Sequence, residues 1–252
     1  MPAFDSDLKI KWFDAKLIEH PYNGKIFNIK TKSGRSVAIT SGHSLFKFEK
    51  NRIVSEIGDN LKKDDYILVP KTFSWHSQID EINTEDFIDL NSNHFEKKDG
   101  FLFYNKMKIC PLKIPLNMEF ARFLGYYLAE GCAPRHLTLT INKSEQDTLK
   151  EIKEYAKKIF DYNVHVYSKG ENALDINFGA RILRALFKHW FGNNARTKKI
   201  PDFVFSASKE FKLNFLGAYI NGDGCIDKGK KHFRIRIKTA SKKLASDILY
   251  LL

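Results

Sequence analysis

The sequence predicts an α+β chain in two unlike regions, and three observations predict it. Residues 1–72 alternate apolar and polar side chains between turn residues, so they read as a small all-β region. From residue 116 to 252 helical periodicity takes over, mixed with alternating strands. Within residues 116–252 the same pattern occurs twice: a helix ending in an acid and a glycine, an alternating strand, and a serine-led helix. The first copy covers about 116–200 and a partial second copy about 201–252. Between the two regions, residues 73–115 include the acidic, turn-rich "HSQIDEINTEDFIDLNSNHFEKKDG" and read as a linker or an insertion.

In "KIFNIKTKSGRSVAIT" the alternation turns at Ser33-Gly34, a hairpin signal, and "SLFKFEKNRIV" gives a second hairpin. "LKKDDYILVP" reads as a polar turn followed by a buried strand that Pro70 stops. Glu119 to Ala129 is helical, and "RHLTLTIN" is a strand. Ser144 is placed to cap a helix running to about Tyr162, supported by Glu151 and Glu154 ahead of Lys157 and Lys158. "VHVYSKGENALDINFG" is a hairpin turning at Lys169-Gly170, and "ARILRALFKHWFG" is an amphipathic helix closed by Gly192. The pattern then restarts. Lys209 to Gly222 is helical, "HFRIRIKT" is a strand, and Ser241 caps a helix in "SKKLASDILYLL".

Of the 252 residues 43% are apolar, which is a globular composition rather than a disordered one. No apolar run reaches the length of a membrane span, so no membrane partner is expected. The start, "MPAFDSDLKI", has neither the basic region nor the apolar stretch of a secretory signal. Cys110, Cys132 and Cys225 have no metal-ligand spacing and suggest reduced thiols in a cytoplasm. The net charge is +12, split as +1 over residues 1–132 and +11 over residues 133–252. A positive field confined to one half attracts polyanions, nucleic acid foremost; a solvated lysine-rich surface would give the same count.

The two acids, Glu130 and Asp223, lie 93 positions apart. Gly125 and Ala129 precede the first at the same offsets as Ala218 and Gly222 precede the second. Small residues four apart share a helix face and let two backbones approach closely. Helices packed on those faces bring their C-termini, and so both carboxylates, together. An anion at a helix C-terminus is disfavoured by about 0.3–1 kcal/mol, and neighbouring carboxylates repel. A divalent cation removes both penalties, and carboxylates, waters and phosphate oxygens suit Mg²⁺. Such a metal can activate water against a phosphodiester. The plainer alternative is an ordinary glycine C-cap after each helix. An EF-hand starting at Asn221 is excluded, because Ile226 and His232 occupy its glycine and glutamate positions.

The strands that follow fit a nucleic-acid surface. Phe233, Ile235 and Ile237 alternate with Arg234, Arg236 and Lys238. Leu137, Leu139 and Ile141 alternate with His136, Thr138, Thr140 and Asn142, with Arg135 just ahead. One face suits the core; the other offers cations and hydrogen-bonding groups to a DNA groove, or simply faces solvent.

These two acid-bearing motifs, "FLGYYLAEG" and "FLGAYINGDG", resemble those of LAGLIDADG (dodecapeptide) homing endonucleases. The resemblance implies a domain of repeated α-β-β-α-β-β-α type with its second repeat truncated, and Mg²⁺, with Mn²⁺ able to substitute, held by Glu130 and Asp223. "KKIPDFVF" resembles the family's lysine-bearing block, which puts Lys198 forward as active-site lysine and Lys199 next. The first 72 residues resemble part of an intein splicing (Hint) domain. "SGRSVAITSGHSLF" looks like the block whose Thr and His assist the first acyl shift, here Thr40 and His43.

The function implied is site-specific hydrolysis of double-stranded DNA by a monomer with internal pseudo-twofold symmetry, or by a dimer. The alternatives are a remnant that binds DNA without cutting and a partial splicing element. Residue 1 is Met rather than Cys or Ser and the chain ends "ILYLL" rather than His-Asn, so no self-splicing is expected of this chain.

Overall fold

The computed structural model describes residues 2–5, 7, 9–70, 78–88, 94–179, 181–228 and 233–252. The chain divides into two compact units, Met1–His76 and Ser77–Leu252.

Among its described residues the first unit is all β apart from one 3-10 turn at Gly58–Asn60. Strand β1 (Pro2–Phe4) pairs antiparallel with β2 (Ile10–Trp12). Strands β3 (Ile26–Lys30) and β4 (Ser36–Thr40) form the expected hairpin, with Gly34 at φ +87° in its turn. Strands β5 (Ser44–Glu49), β6 (Arg52–Ile57) and β7 (Tyr66–Ile67) form a sheet in the order β6-β5-β7. Among the described residues Ile39 is this unit's buried apolar side chain. Lys47 on β5 is buried as well, within 3.4–3.8 Å of Glu56, Glu49 and Asp65. The buried strand expected in "LKKDDYILVP" is instead a two-residue edge strand, and Tyr66 is 78% exposed. It has one neighbour, β5, so its outer side chains meet solvent.

The second unit opens with short antiparallel strands: β8 (Glu81–Asn83), β9 (Phe95–Lys98), β10 (Phe101–Tyr104), β11 (Met107–Pro111) and β12 (Lys113–Pro115). β8 pairs with β12, and β11-β10-β9 form a sheet. Where it is described, the stretch read as a linker or an insertion is therefore folded. Ile82, Leu102, Cys110 and Ile114 join the unit's core, and Phe87 sets its ring edge-on against Trp190. Each strand carries only one or two core residues, too few for a periodic signal to rise above the acidic turns around them.

Helix α1 (Met118–Glu130) follows, then β13 (Gly131–Cys132), β14 (Leu137–Asn142), α2 (Gln146–Phe160), β15 (His165–Lys169), β16 (Ala173–Phe178) and α3 (Arg181–Phe191). The four strands form an antiparallel sheet ordered β13-β14-β16-β15. Its inner face carries Leu137, Leu139, Ile176 and Phe178, all fully buried. Helix faces bring Phe123, Phe160 and Phe187 onto that layer in edge-on ring contacts 5.5–6.1 Å apart. Ser144 does not cap α2. Its backbone N–H and hydroxyl go to Asn142 Oδ1, a local turn that outcompetes the cap, and the helix begins two residues later.

The pattern resumes with α4 (Asp202–Ser206), α5 (Lys209–Asp223), the ribbon β17 (Gly224–Lys228) and β18 (Phe233–Ile237), and α6 (Lys242–Leu251). Ser241 caps α6 as expected, accepting from Leu244 N–H at 3.1 Å. Ile235 does not enter the core: it is 54% exposed, opposite Ile226 at 52%. A two-stranded ribbon has no further strands to carry its apolar face inward. No helix among the described residues is long and apolar enough to cross a membrane.

Candidate functional site

Helices α1 and α5 carry the centre of the second unit. Each has a side-chain cap at its start: Asn117 Oδ1 accepts from Phe120 N–H, and Ser208 Oγ accepts from Phe211 N–H. Their small-residue faces meet. A Cβ built on Gly125 would stand 2.7 Å from the Ala218 Cβ and 2.4 Å from the Phe215 carbonyl oxygen. A Cβ on Gly222 would stand 2.5 Å from the Ala129 Cβ. Gly125 thus meets its own counterpart Ala218, and Ala129 meets Gly222. Residues that meet their equivalents are what a twofold axis between two helices requires.

Both helices end on the acid, Glu130 and Asp223, and both pass directly into a strand. Gly131 and Gly224 have φ −83° and −91°, so neither is the left-handed glycine cap considered from the sequence. Their requirement is space. A Cβ on either would lie 2.3 Å from a carbonyl oxygen of its own helix, Tyr127 or Ile220. The Glu130 side chain reaches the second helix, with Oε1 3.3 Å from where a Gly222 Cβ would be.

The electrostatics are those of crowded like charges. Burial pushes the half-buried Glu130 carboxyl up, Asp223 and Glu145 push it further, and Lys198 opposes them. Desolvation pushes Asp223 up as well, again opposed by Lys198. Burial lowers the Lys198 ammonium, against the pull of Asp223 and Glu130. Lys198 Nζ donates to the Leu128 and Ala129 carbonyls at 2.6 and 3.0 Å. A cation therefore sits on the negative end of α1, beside the acid that ends it.

The backbone around Lys198 is held from α6. Ser241 Oγ donates to the Lys198 carbonyl at 2.5 Å, and Ile200 N–H donates to Asp247 Oδ2 at 3.0 Å. Asp247 is 2% exposed and is also bridged by Lys243. Sequence reasoning missed both roles. The signal that could have found Asp247 is an acid between Leu244 and Ile248 on the buried face of a short helix. Lys199 N–H donates to the Phe191 carbonyl, which ties this segment to α3.

Among the described residues no group of three or more His, Cys, Asp and Glu side chains is arranged to hold a metal. Glu130 and Asp223 are a two-carboxylate pair. That set fits Mg²⁺, which keeps several waters and takes one or two protein carboxylates. The raised proton affinities of both acids are what a bound dication would relieve.

The polar strand residues are placed as follows. Thr138 and Thr140 lie on the face of β14 opposite its buried leucines, but their hydroxyls donate across the sheet to Asn177 and Asp175 at 2.6 Å. Lys169 joins Asp175 at 3.2 Å. Arg135 and His136 are exposed in the turn before β14. Arg234 and Lys238 are exposed, and Arg236 is paired with Asp227 at 2.8 Å. The two sets lie on different sheets, β13-β14-β16-β15 and the β17-β18 ribbon.

Thr40 and His43 lie in the first unit, at the ends of a tight turn from β4 into β5. His43 N–H donates to the Thr40 carbonyl at 3.2 Å. Gly58 N–H donates to the His43 carbonyl at 2.9 Å, and a Cβ on Gly58 would stand 2.8 Å from the Thr40 carbonyl oxygen. Tyr22 OH accepts from Ser41 N–H at 3.2 Å, which pins the turn from the other side. The His43 ring is left exposed.

The family described as intein splicing domain matches residues 6–238, which takes in both the Thr40–His43 turn and the α1–α5 pair. The chain belongs to the intein splicing domain family. This intein chain is 32% identical to the DNA-directed RNA polymerase subunit Rpo1C of Methanocaldococcus jannaschii, over 99% of its own length and 29% of that protein. It is 24% identical to a DNA polymerase of Thermococcus kodakarensis, over 94% of its length and 20% of that protein. It is 30% identical to an A-type ATP synthase protein of Pyrococcus abyssi, over 95% of its length and 23% of that protein. The chain thus spans less than a third of each of these relatives.

Proposed function

We propose that the chain is a protein-splicing element whose second unit carries a metal-dependent DNA endonuclease centre. One observation carries the splicing reading. A single stretch is similar to a minor portion of proteins as different as a polymerase and an ATP synthase. A segment shared by such proteins has a role separate from theirs, and self-excision is such a role. Thr40 and His43 would act on the first acyl shift, in which a Cys or Ser side chain at the upstream junction forms the new ester or thioester as the amide C–N bond breaks. The tight turn fixes them beside each other, and the exposed imidazole is free to pass a proton to a departing amide nitrogen. The test is expression of the chain between two tagged reporter proteins, with a nucleophilic Cys supplied at its start and His-Asn-Cys at its end, the residues its own ends do not carry. A ligated reporter pair, or thiol-released N-terminal reporter, is expected with wild type and strongly reduced with His43→Ala. Intact fusion in both would reject the reading.

The geometry of α1 and α5 favours the endonuclease reading. Two carboxylates at adjoining helix ends influence one another, and a partly buried lysine acts electrostatically on both. Glu130 and Asp223 would hold Mg²⁺. When bound, that ion supplies an activated water and charge stabilisation at a phosphodiester. Lys198 holds α1's last carbonyls and places one positive charge beside the pair. Ser241 and Asp247 keep the lysine's backbone in register. The twofold relation of the helices suits the two strands of duplex DNA, and the +11 charge of residues 133–252 suits its backbone. Nicking of supercoiled plasmid in Mg²⁺ or Mn²⁺ by wild type and not by Asp223→Asn is expected. Salt-dependent binding without cutting by either protein would leave a DNA-binding element only.

A further inference from the structure

Where the turn between β13 and β14 meets the start of α3, the second unit has a concavity of about 270 Å³. Arg135, His136, Phe178, Gly179, Arg181 and Arg184 line it. Three arginines and a histidine therefore line one small site, and among the described residues no carboxylate lines it. Among the described residues none of these three arginines is found in an ion pair.

The cluster is built rather than incidental. Arg184 Nη1 donates to the Pro134 and Arg135 carbonyls at 3.0 and 3.1 Å. Those bonds fasten the turn to α3 and so hold Arg135 and His136 at the same concavity as Arg181. The Arg184 Nε is enclosed and has no acceptor among the described residues. The arrangement also goes against local electrostatics. Like charges repel, and the first turn of α3 carries arginines and no acid where the helix end is already positive. An unfavourable cluster of this kind, with no structural counter-charge, marks a place for an anion. Arginine's planar fork of donors matches the oxygens of a phosphate.

We propose that this pocket binds one phosphate group, supplied by a DNA backbone or by free phosphate. Only the DNA source rests on the endonuclease reading above. Arg181 is the principal exposed ligand, Arg135 and His136 complete the cradle, and Arg184 positions the turn that carries them. Arg181 and Arg184 then extend the anion-binding surface beyond the residues the sequence pattern pointed to.

The test uses the full chain, with Arg181→Ala compared against Lys153→Ala, an exposed cation on α2 outside the pocket. Arg181 is itself exposed, and an unchanged unfolding midpoint will verify that its variant is folded. Inorganic phosphate is titrated at low salt, and binding to a mixed-sequence duplex is followed against salt concentration. Wild type and Lys153→Ala are expected to bind phosphate saturably, and Arg181→Ala to lose that binding. If the source is DNA, Arg181→Ala also lowers the slope of log affinity against log salt by about one, uniformly across sequences. Loss of phosphate binding with unchanged DNA binding assigns the pocket to free phosphate. Unchanged phosphate binding in Arg181→Ala, or an equal loss in Lys153→Ala, overturns the proposal. Absence of DNA binding by wild type would defeat the endonuclease reading, while the phosphate titration still decides the pocket.

Discussion

Gly222 of one helix lies against Ala129 of the other, so closely that a Cβ on Gly222 would stand 2.5 Å from the Ala129 Cβ. That contact is the last one before the two acids. Helix separation there sets where Glu130 and Asp223 come to rest, so a steric property of a glycine controls the electrostatics of the centre.

Gly125→Ala and Gly222→Ala are expected to destabilise the second unit by about 1–3 kcal/mol, the range for overpacking a tight interface. Gly217→Ala is the internal comparison. It lies in the same helix as Gly222 with nothing within 4 Å of the added carbon, and is expected to stabilise by about 0.5–1 kcal/mol. Denaturant unfolding of the three variants checks this. Equal effects at all three positions would mean the helices do not meet on these faces.

The acid pair predicts a pH dependence. Both carboxyls are held above their usual range, Glu130 and Asp223 each chiefly by desolvation. A raised native pKa contributes stability that is complete below the unfolded value, about 4, and is lost as pH rises through the native one. Metal-free protein should therefore lose stability from about pH 4 up toward neutrality at this site. The loss should be smaller in Asp223→Asn. Mg²⁺ at neutral pH should raise the unfolding midpoint of wild type and leave that of Asp223→Asn unmoved. A midpoint indifferent to Mg²⁺ in wild type would count against a metal at this pair.

Asp247→Ala removes the acceptor of a buried backbone N–H at Ile200. The expected cost is about 1–3 kcal/mol. Ser241→Ala, which removes both a helix cap and the bond to the Lys198 carbonyl, should cost about 1 kcal/mol. Both variants should also weaken any Mg²⁺-dependent nicking, with Asp247→Asn retaining more of it than Asp247→Ala. Nicking that survives Asp247→Ala at the wild-type rate would show that Lys198 keeps its place without α6.

Cys110 is fully buried and its thiol is pushed up to about 11 by burial, with a smaller opposing effect from Thr84. Cys132 and Cys225 are exposed. Alkylation of native protein at pH 8, read by mass spectrometry, should modify the two exposed thiols and spare Cys110 until unfolding. Early modification of Cys110 would mean that the β10–β11 layer is not packed on the core.

Much of the second unit was legible in the sequence because its signals are local. Periodicity placed α1, α3 and α5, alternation placed β14 and the β15–β16 hairpin, and Gly170 and Gly192 marked turns that do take positive φ. The repeated offset of small residues before each acid announced a helix pair. Other features depend on partners distant in sequence. The strands between Glu81 and Pro115 bury too few residues each to be periodic, and they become core only against Trp190 and its neighbours. Ser144 had the residue type of a cap but a better partner in Asn142. The exposure of Ile235 follows from the ribbon having two strands, which its own alternation cannot reveal.

Local sequence was thus enough to specify which residues form the paired helices and which acids end them, because helix periodicity and small side chains act over a few positions. Folding in three dimensions was needed to bring the acids into one environment with Lys198, to fasten that lysine's backbone to α6 through Ser241 and Asp247, and to converge three arginines beside α3. Those are long-range placements. They depend on the burial and hydrogen bonding of groups that meet only when the chain has folded, and no local pattern encodes such meetings.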